Sequence, residues 1–167
     1  MTARSLVLLR HAKADAPRGV ADEDRPLSAR GQADAHAAGG WLAGRQVPEL
    51  VLCSPAKRTR QTWHAVAASL PADAAPVVRY ERRLYLGDPD SLLELVQEVE
   101  DPVTRVLVIG HNPTLSQLVF TLDPEAGGLD SDGLRTCGLT VHELDGPWSG
   151  CGPRHAPVTA THTARGT

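Results

Sequence analysis

A chain of 167 residues, 41% of them hydrophobic, is long enough for one domain with a sizeable core. Its formal net charge of −3 provides no global attraction to nucleic acid or to an anionic membrane surface, and no apolar run approaches the roughly 20 residues of a membrane span. The three cysteines, Cys53, Cys137 and Cys151, are odd in number and lack CxxC spacing, which points to a reducing cytoplasm and away from a disulfide framework or a structural zinc site.

Met1-Thr2-Ala3-Arg4 runs straight into Leu6-Val7-Leu8-Leu9 with no small-residue cleavage site, so no signal peptide is expected. Four consecutive apolar residues have the pattern of a strand buried on both faces in a parallel sheet, and this run stops at Arg10-His11. Lys13 to Pro26 is a polar loop containing the acidic cluster Asp22-Glu23-Asp24, long enough to fold back over a site at the strand end. Ser28 is placed to cap a helix from Ala29 to about Gly44, with Gly39-Gly40 as its weak point. Leu50 to Cys53 reads as a second buried strand ending in Ser54-Pro55. A helix from Lys57 to Leu70 follows, with Trp63, Val66, Ala67 and Leu70 on one face.

Val77 to Tyr80 is a short third strand, and Asp90 is placed to cap an amphipathic helix through Leu92, Leu95, Val96 and Val99. Val103 to Ile109 forms the fourth strand, ending in Gly110-His111-Asn112. Pro113 then fits a first helical position with Asn112 as cap, and Leu115, Leu118, Val119 and Leu122 give that helix an apolar face. Leu134 to Leu144 reads as a last strand, with Leu139 and Val141 alternating against Thr140 and His142. From Gly146 on, Gly, Pro, Thr, Ala and His dominate without periodicity, so the expectation is one domain over 1–145 and a flexible tail over 146–167. Alternating strands and helices predict an α/β fold, a three-layer αβα sandwich around a mostly parallel sheet.

In such a sheet the carboxyl ends of the strands share one edge, where ligands bind. Arg10-His11, the Ser54-to-Arg58 segment and Gly110-His111 all fall at strand ends, so two arginines and two histidines are expected in one crevice. A cluster of that composition repels itself unless it holds a dianion. Phosphate is the obvious one, because guanidinium groups grip its oxygens in bidentate fashion. The other basic residues, Lys57, Arg60, Arg82 and Arg83, read as solvated charges.

The segments that meet there resemble the histidine phosphatase superfamily, with its phosphoglycerate-mutase-like fold, and within it the small SixA-type phosphohistidine phosphatases. Arg10-His11-Ala12 is similar to the family's Arg-His-Gly motif with alanine in the glycine slot, and Arg25-Pro26-Leu27-Ser28 to Gly31 is similar to its RPLT-x-x-G segment. Ser54 to Thr62 is similar to SP-x-x-R-x-x-QT, and Gly110-His111-Asn112-Pro113 to the second-histidine motif. The resemblance implies that His11 is the nucleophile, becoming a phosphohistidine that water hydrolyses. It further implies that Arg10 and Arg58 neutralise the phosphoryl oxygens, that His111 donates to them, and that Arg25 is an extra phosphate or substrate contact.

Larger relatives carry a glutamate general acid in an RL-x-E context, but Arg83-Leu84-Tyr85-Leu86 puts leucine in that slot. Asp22 and Glu81 are the remaining candidate proton donors. An N-phosphorylated imidazole leaves more readily than an alcohol, so a site without a dedicated acid suits phosphohistidine. The expectation is a cytoplasmic phosphatase that uses neither metal nor cofactor, acting on a histidine-phosphorylated signalling protein and contacting no nucleic acid or membrane. A phosphomonoesterase acting on a small phosphorylated metabolite, and a phosphate-binding protein without turnover, are the alternatives.

Overall fold

The computed structural model describes residues 3–167. Strand β1 (Ala3–Arg10) lies near the middle of a six-stranded sheet of order β3-β2-β4-β1-β5-β6. β2 (Leu50–Cys53), β3 (Val77–Tyr80) and β4 (Arg105–Gly110) join β1 in a parallel block, while β5 (Gly138–Asp145) and β6 (Val158–Thr163) extend it antiparallel. Successive strand side chains point to opposite faces. Leu6, Leu8, Leu50, Leu52, Val106 and Val108 therefore feed one core, and Val7, Leu9, Val51, Cys53, Leu107 and Ile109 the other. Both faces need apolar residues, which is why these strands are unbroken hydrophobic runs.

Helices α1 (Ala29–Ala43) and α2 (Lys57–Ala68) cover one face with Ala35, Ala38, Leu42, Trp63 and Val66. The short α3 (Arg83–Leu86) follows β3, and α4 (Pro89–Gln97) and α5 (Thr114–Leu122) cover the other face with Leu92, Leu95, Val96, Leu115, Leu118 and Val119. The three-layer sandwich read from the sequence is the observed architecture.

The segment from Gly146 on departs from the flexible tail expected of it. Trp148 is fully buried against the α4–α5 core and donates its indole N–H to the Val103 carbonyl at 2.7 Å. Val158–Thr163 then forms the outer strand β6, and Arg165-Gly166 docks on α1, where Asp34 accepts from the Gly166 amide at 2.9 Å. β6 is an edge strand of alternating β-branched and small residues, half covered, so it never shows the apolar run of a central strand. Covering β5 in this way buries Thr140 and His142 on the strand's second face, with the Thr140 Oγ1 to His142 Nε2 contact at 2.9 Å and His142 Nδ1 donating to the Ala156 carbonyl at 2.9 Å.

Three boundaries shift. Asp88, rather than Asp90, caps α4, accepting from the Ser91 amide at 2.9 Å with Pro89 in the first turn. α5 begins at Thr114, and Asn112, instead of capping it, uses its side chain to join the Leu134 carbonyl to Ser116. β5 starts at Gly138, so Leu134 lies in the preceding loop, where its carbonyl is free to meet side chains.

Candidate active site

β4 lies between β1 and β2, and the paired registers Arg10–Gly110 and Cys53–Ile109 end all three strands at one level. The chain leaves them at His11, Ser54 and His111. The His11 amide donates to the Gly110 carbonyl at 3.1 Å and the Ser54 amide to the Ile109 carbonyl at 3.1 Å, so the hydrogen-bond ladder continues one residue into the crevice. Arg10, His11, Arg58 and His111 are thereby brought together as expected. The two imidazoles lie with centroids 5.3 Å apart.

His11 is only 9% exposed. Its Nδ1 donates to the Ala12 carbonyl at 2.7 Å, which leaves Nε2 as the bare, nucleophilic nitrogen. Burial, aided by the charges of Arg58 and Arg10, pushes its pKa down to about 4 against the pull of that hydrogen bond, so the ring is neutral at pH 7. The backbone behind it is clamped: the Ala12 amide donates to Thr62 Oγ1 at 3.1 Å, and the Cys137 amide to the His11 carbonyl at 3.1 Å. Thr62 and Gln61 close the SP-x-x-R-x-x-QT-like segment, and the Gln61 side chain accepts from the Leu27 amide at 2.7 Å. These two residues tie α2 to both ends of the loop after β1.

His111 is held by Ser54, with Nε2 to Oγ at 2.8 Å. Ser54 Oγ also accepts from the Ala56 amide at 3.3 Å, and among the described residues the one acceptor in reach of its own proton is His111 Nε2, so the hydroxyl donates there. That assignment puts the ring proton on Nδ1, a buried atom with no partner among the described residues and free to donate to a ligand. Burial first, then the neighbouring His11 and Arg58, lower its pKa to about 3. Arg10 is anchored through Nη1 to the Leu134 carbonyl at 3.0 Å, a partner supplied by a distant loop.

Arg58, 6% exposed, does not face empty space. Its Nη1 donates to the Asp22 carbonyl at 2.7 Å and its Nη2 to the Asp22 carboxylate at 3.1 Å. The loop after β1 delivers Asp22 through a 3-10 turn over Asp22–Asp24, and the Ala14–Leu27 bridge closes the loop at its base. Tyr85 Oη donates to the same carboxylate at 2.6 Å and Arg25 Nη1 at 3.2 Å. Led by the Tyr85 bond, these donors hold the Asp22 carboxyl down at about 2. Asp22 is thus at the site as an ionised acceptor, which does not fit the proton-donor role read from the sequence. Arg25 reaches the site through it. Glu81 faces Arg83, 3.7 Å away, and is not joined to the cluster.

Sequence reasoning missed Tyr85. Its ring meets His111 edge-on with centroids 5.5 Å apart, and the guanidinium of Arg82, which also pairs with Glu23 at 2.9 Å, lies over it. The RL-x-E comparison passed over this residue because it looked for an acid one position later. Two neutral imidazoles, one with a bare nitrogen and one with a free N–H, beside two guanidiniums make a site able to attack an electrophile that carries negative oxygens.

A model of the histidine phosphatase superfamily, branch 1, matches residues 6–84. An uncharacterized protein of Mycobacterium tuberculosis is 38% identical over 164 residues, spanning 94% of this chain and 100% of that one. Among solved structures, a Nakamurella multipartitia protein assigned as the phosphohistidine phosphatase SixA superposes with a TM-score of 0.85 at 34% identity, covering 98% of each chain. The protein histidine phosphatase SixA in complex with tungstate gives 0.74 at 25% identity, over 95% of this chain and 96% of that one.

Proposed function

The chain belongs to the histidine phosphatase superfamily, and from that membership we propose that it hydrolyses phosphohistidine on a protein, through a phosphoryl group carried transiently by His11. The observation that carries the reading is the neutral, carbonyl-oriented His11 between Arg10 and Arg58, with the free Nδ1–H of His111 beside it.

In the first step the Nε2 lone pair of His11 forms a bond to phosphorus while the bond to the substrate's nitrogen breaks, its electron pair leaving with that nitrogen. In the second, a water oxygen attacks phosphorus as the P–Nε2 bond breaks, the bonding pair returns to Nε2, and both water protons leave with the product as dihydrogen phosphate. Charge on the three equatorial oxygens spreads in the transition state, and fixed guanidiniums bind it more strongly there than in the ground state. That supplies the stabilisation a metal ion provides elsewhere, and the proposal uses neither metal nor cofactor.

A protein substrate is supported by the access to the site. The connection from β3 to β4 contains only α3 and α4, and α4 packs on the sheet face instead of over the crevice. The likeness to the SixA structures supports the same choice, and the tungstate held by one of them, an oxyanion of phosphate's shape, supports a phosphoryl site. His11→Ala is expected to abolish turnover of a histidine-phosphorylated protein and the acid-labile phosphate label on the enzyme. Undiminished turnover by that variant would overturn the mechanism. A preference for phosphomonoesters of more than about tenfold, or 1.4 kcal/mol, would overturn the substrate class.

A further inference from the structure

Resting on the phosphoryl-transfer reading above, we propose that Asp22 selects substrates by charge, admitting a cationic leaving group beside the phosphoryl group and turning away an anionic one. Its carboxylate stands over the crevice, gripped by Arg58, Tyr85 and Arg25. A carboxylate has about four acceptor sites. The three donors leave one, and the side chain is 55% exposed, so it can meet a ligand without leaving its partners.

A group held this firmly in its ionised form has no proton to give near neutral pH, and Glu81 is paired with Arg83 instead. The site therefore suits a leaving group that needs none. An N-phosphorylated imidazole protonated on its other ring nitrogen is such a group. As His11 Nε2 bonds to phosphorus and the substrate's P–N bond breaks, the electron pair stays on the departing nitrogen. The proton already on the other nitrogen makes the product a neutral imidazole. Asp22 accepts a hydrogen bond from that distal N–H and favours the protonated ring. A leaving group carrying a carboxylate or a second phosphate meets Asp22 as a like charge, a repulsion worth about tenfold in binding at this partly exposed position. Tyr85 is the positioning residue: wedged between His111 and Arg82, it keeps the carboxylate aimed over the crevice.

The test compares wild type, Asp22→Asn and Tyr85→Phe on phosphoimidazole and on a phosphomonoester whose alcohol bears a carboxylate. Inhibition by inorganic phosphate and thermal unfolding are followed in parallel. Asp22→Asn is expected to lower kcat/KM for phosphoimidazole about tenfold, raise it about tenfold for the anionic ester, and tighten phosphate inhibition. Tyr85→Phe should move the ratio the same way by about threefold. A uniform rise on both substrates would mean that Asp22 merely occupies Arg58, and a uniform fall that it only supports the fold; either overturns the proposal. His11→Ala separates the two levels. If that variant still turns over phosphoimidazole, the phosphoryl-transfer reading itself has failed. If it is inactive and the Asp22→Asn ratio is unmoved, only the role of Asp22 has.

Discussion

Ser54 illustrates how much of the site depends on single polar atoms outside the four central side chains. Among the described residues its hydroxyl is the one hydrogen-bond partner of the His111 ring, and it sets which nitrogen carries the proton. Removing it leaves the imidazole free to place its proton on either nitrogen, and only one tautomer can donate to a phosphoryl oxygen. Ser54→Ala is expected to lower kcat about tenfold with little change in KM. Nitrogen-15 spectra of the ring should show a mixed tautomer population, and an unchanged spectrum would remove Ser54 from the argument. Arg10, His11, Arg58 and His111 were legible in the sequence because each follows a buried strand within a few residues, so position along the chain announces position in the crevice. The SP-x-x-R-x-x-QT-like segment marked Ser54 and Thr62 but not what they do, and Tyr85 was not marked at all. Their roles arise where an element meets another element, as when Thr62 on α2 takes the Ala12 amide, and no local pattern encodes such a meeting.

The two adjacent glycines of α1 look equivalent as a sequence and are opposite as structure. A Cβ on Gly39 would overlap the Val66 carbonyl oxygen of α2, so glycine is what lets the two helices approach this closely. A Cβ on Gly40 would point into open space. Gly40→Ala should therefore stabilise the fold by about 0.5–1 kcal/mol, through reduced backbone entropy of the unfolded chain, and raise Tm. Gly39→Ala should lower Tm by forcing α1 and α2 apart. Equal shifts for the two variants would contradict this packing. The same asymmetry governs which elements could be read beforehand. β1, β2 and β4 are buried on both faces and advertise themselves as apolar runs. β6 needs only one partner and one covered side, and its Val-Thr-Ala-Thr-His-Thr pattern resembles linker composition until β5 is there to pair with it.

At the scale of the molecule, the chain encloses several neutral histidines, and that links folding to pH. Burial depresses His11 to about 4 and His111 to about 3, and it also lowers His142, which sits beneath β6 with its nitrogens bonded to Thr140 and Ala156. The unfolded chain titrates these groups near their ordinary value of 6.5. Below that pH the unfolded state binds protons that the folded state does not, so stability is full above 6.5 and falls as pH drops toward the folded values. His11 and His111 each account for about 2.5 kcal/mol between pH 7 and 4.5, about 5 kcal/mol together. The carboxylates held low, Asp22 at about 2 among them, act in the opposite window. Their contribution is intact above pH 4 and is lost only below it, so the decline between 6.5 and 4.5 belongs to the histidines. At the other end, the buried thiol of Cys53, pushed up to about 12, withdraws stability only above about pH 9. Urea midpoints should therefore be flat from pH 7 to 8.5 and fall steadily between 6.5 and 4.5. A His11→Asn, His111→Asn double variant should lose most of that slope and keep the part due to His142 and His162, which burial also lowers. A wild-type curve flat down to pH 4.5 would mean that the crevice admits the protons, contradicting the burial of both rings.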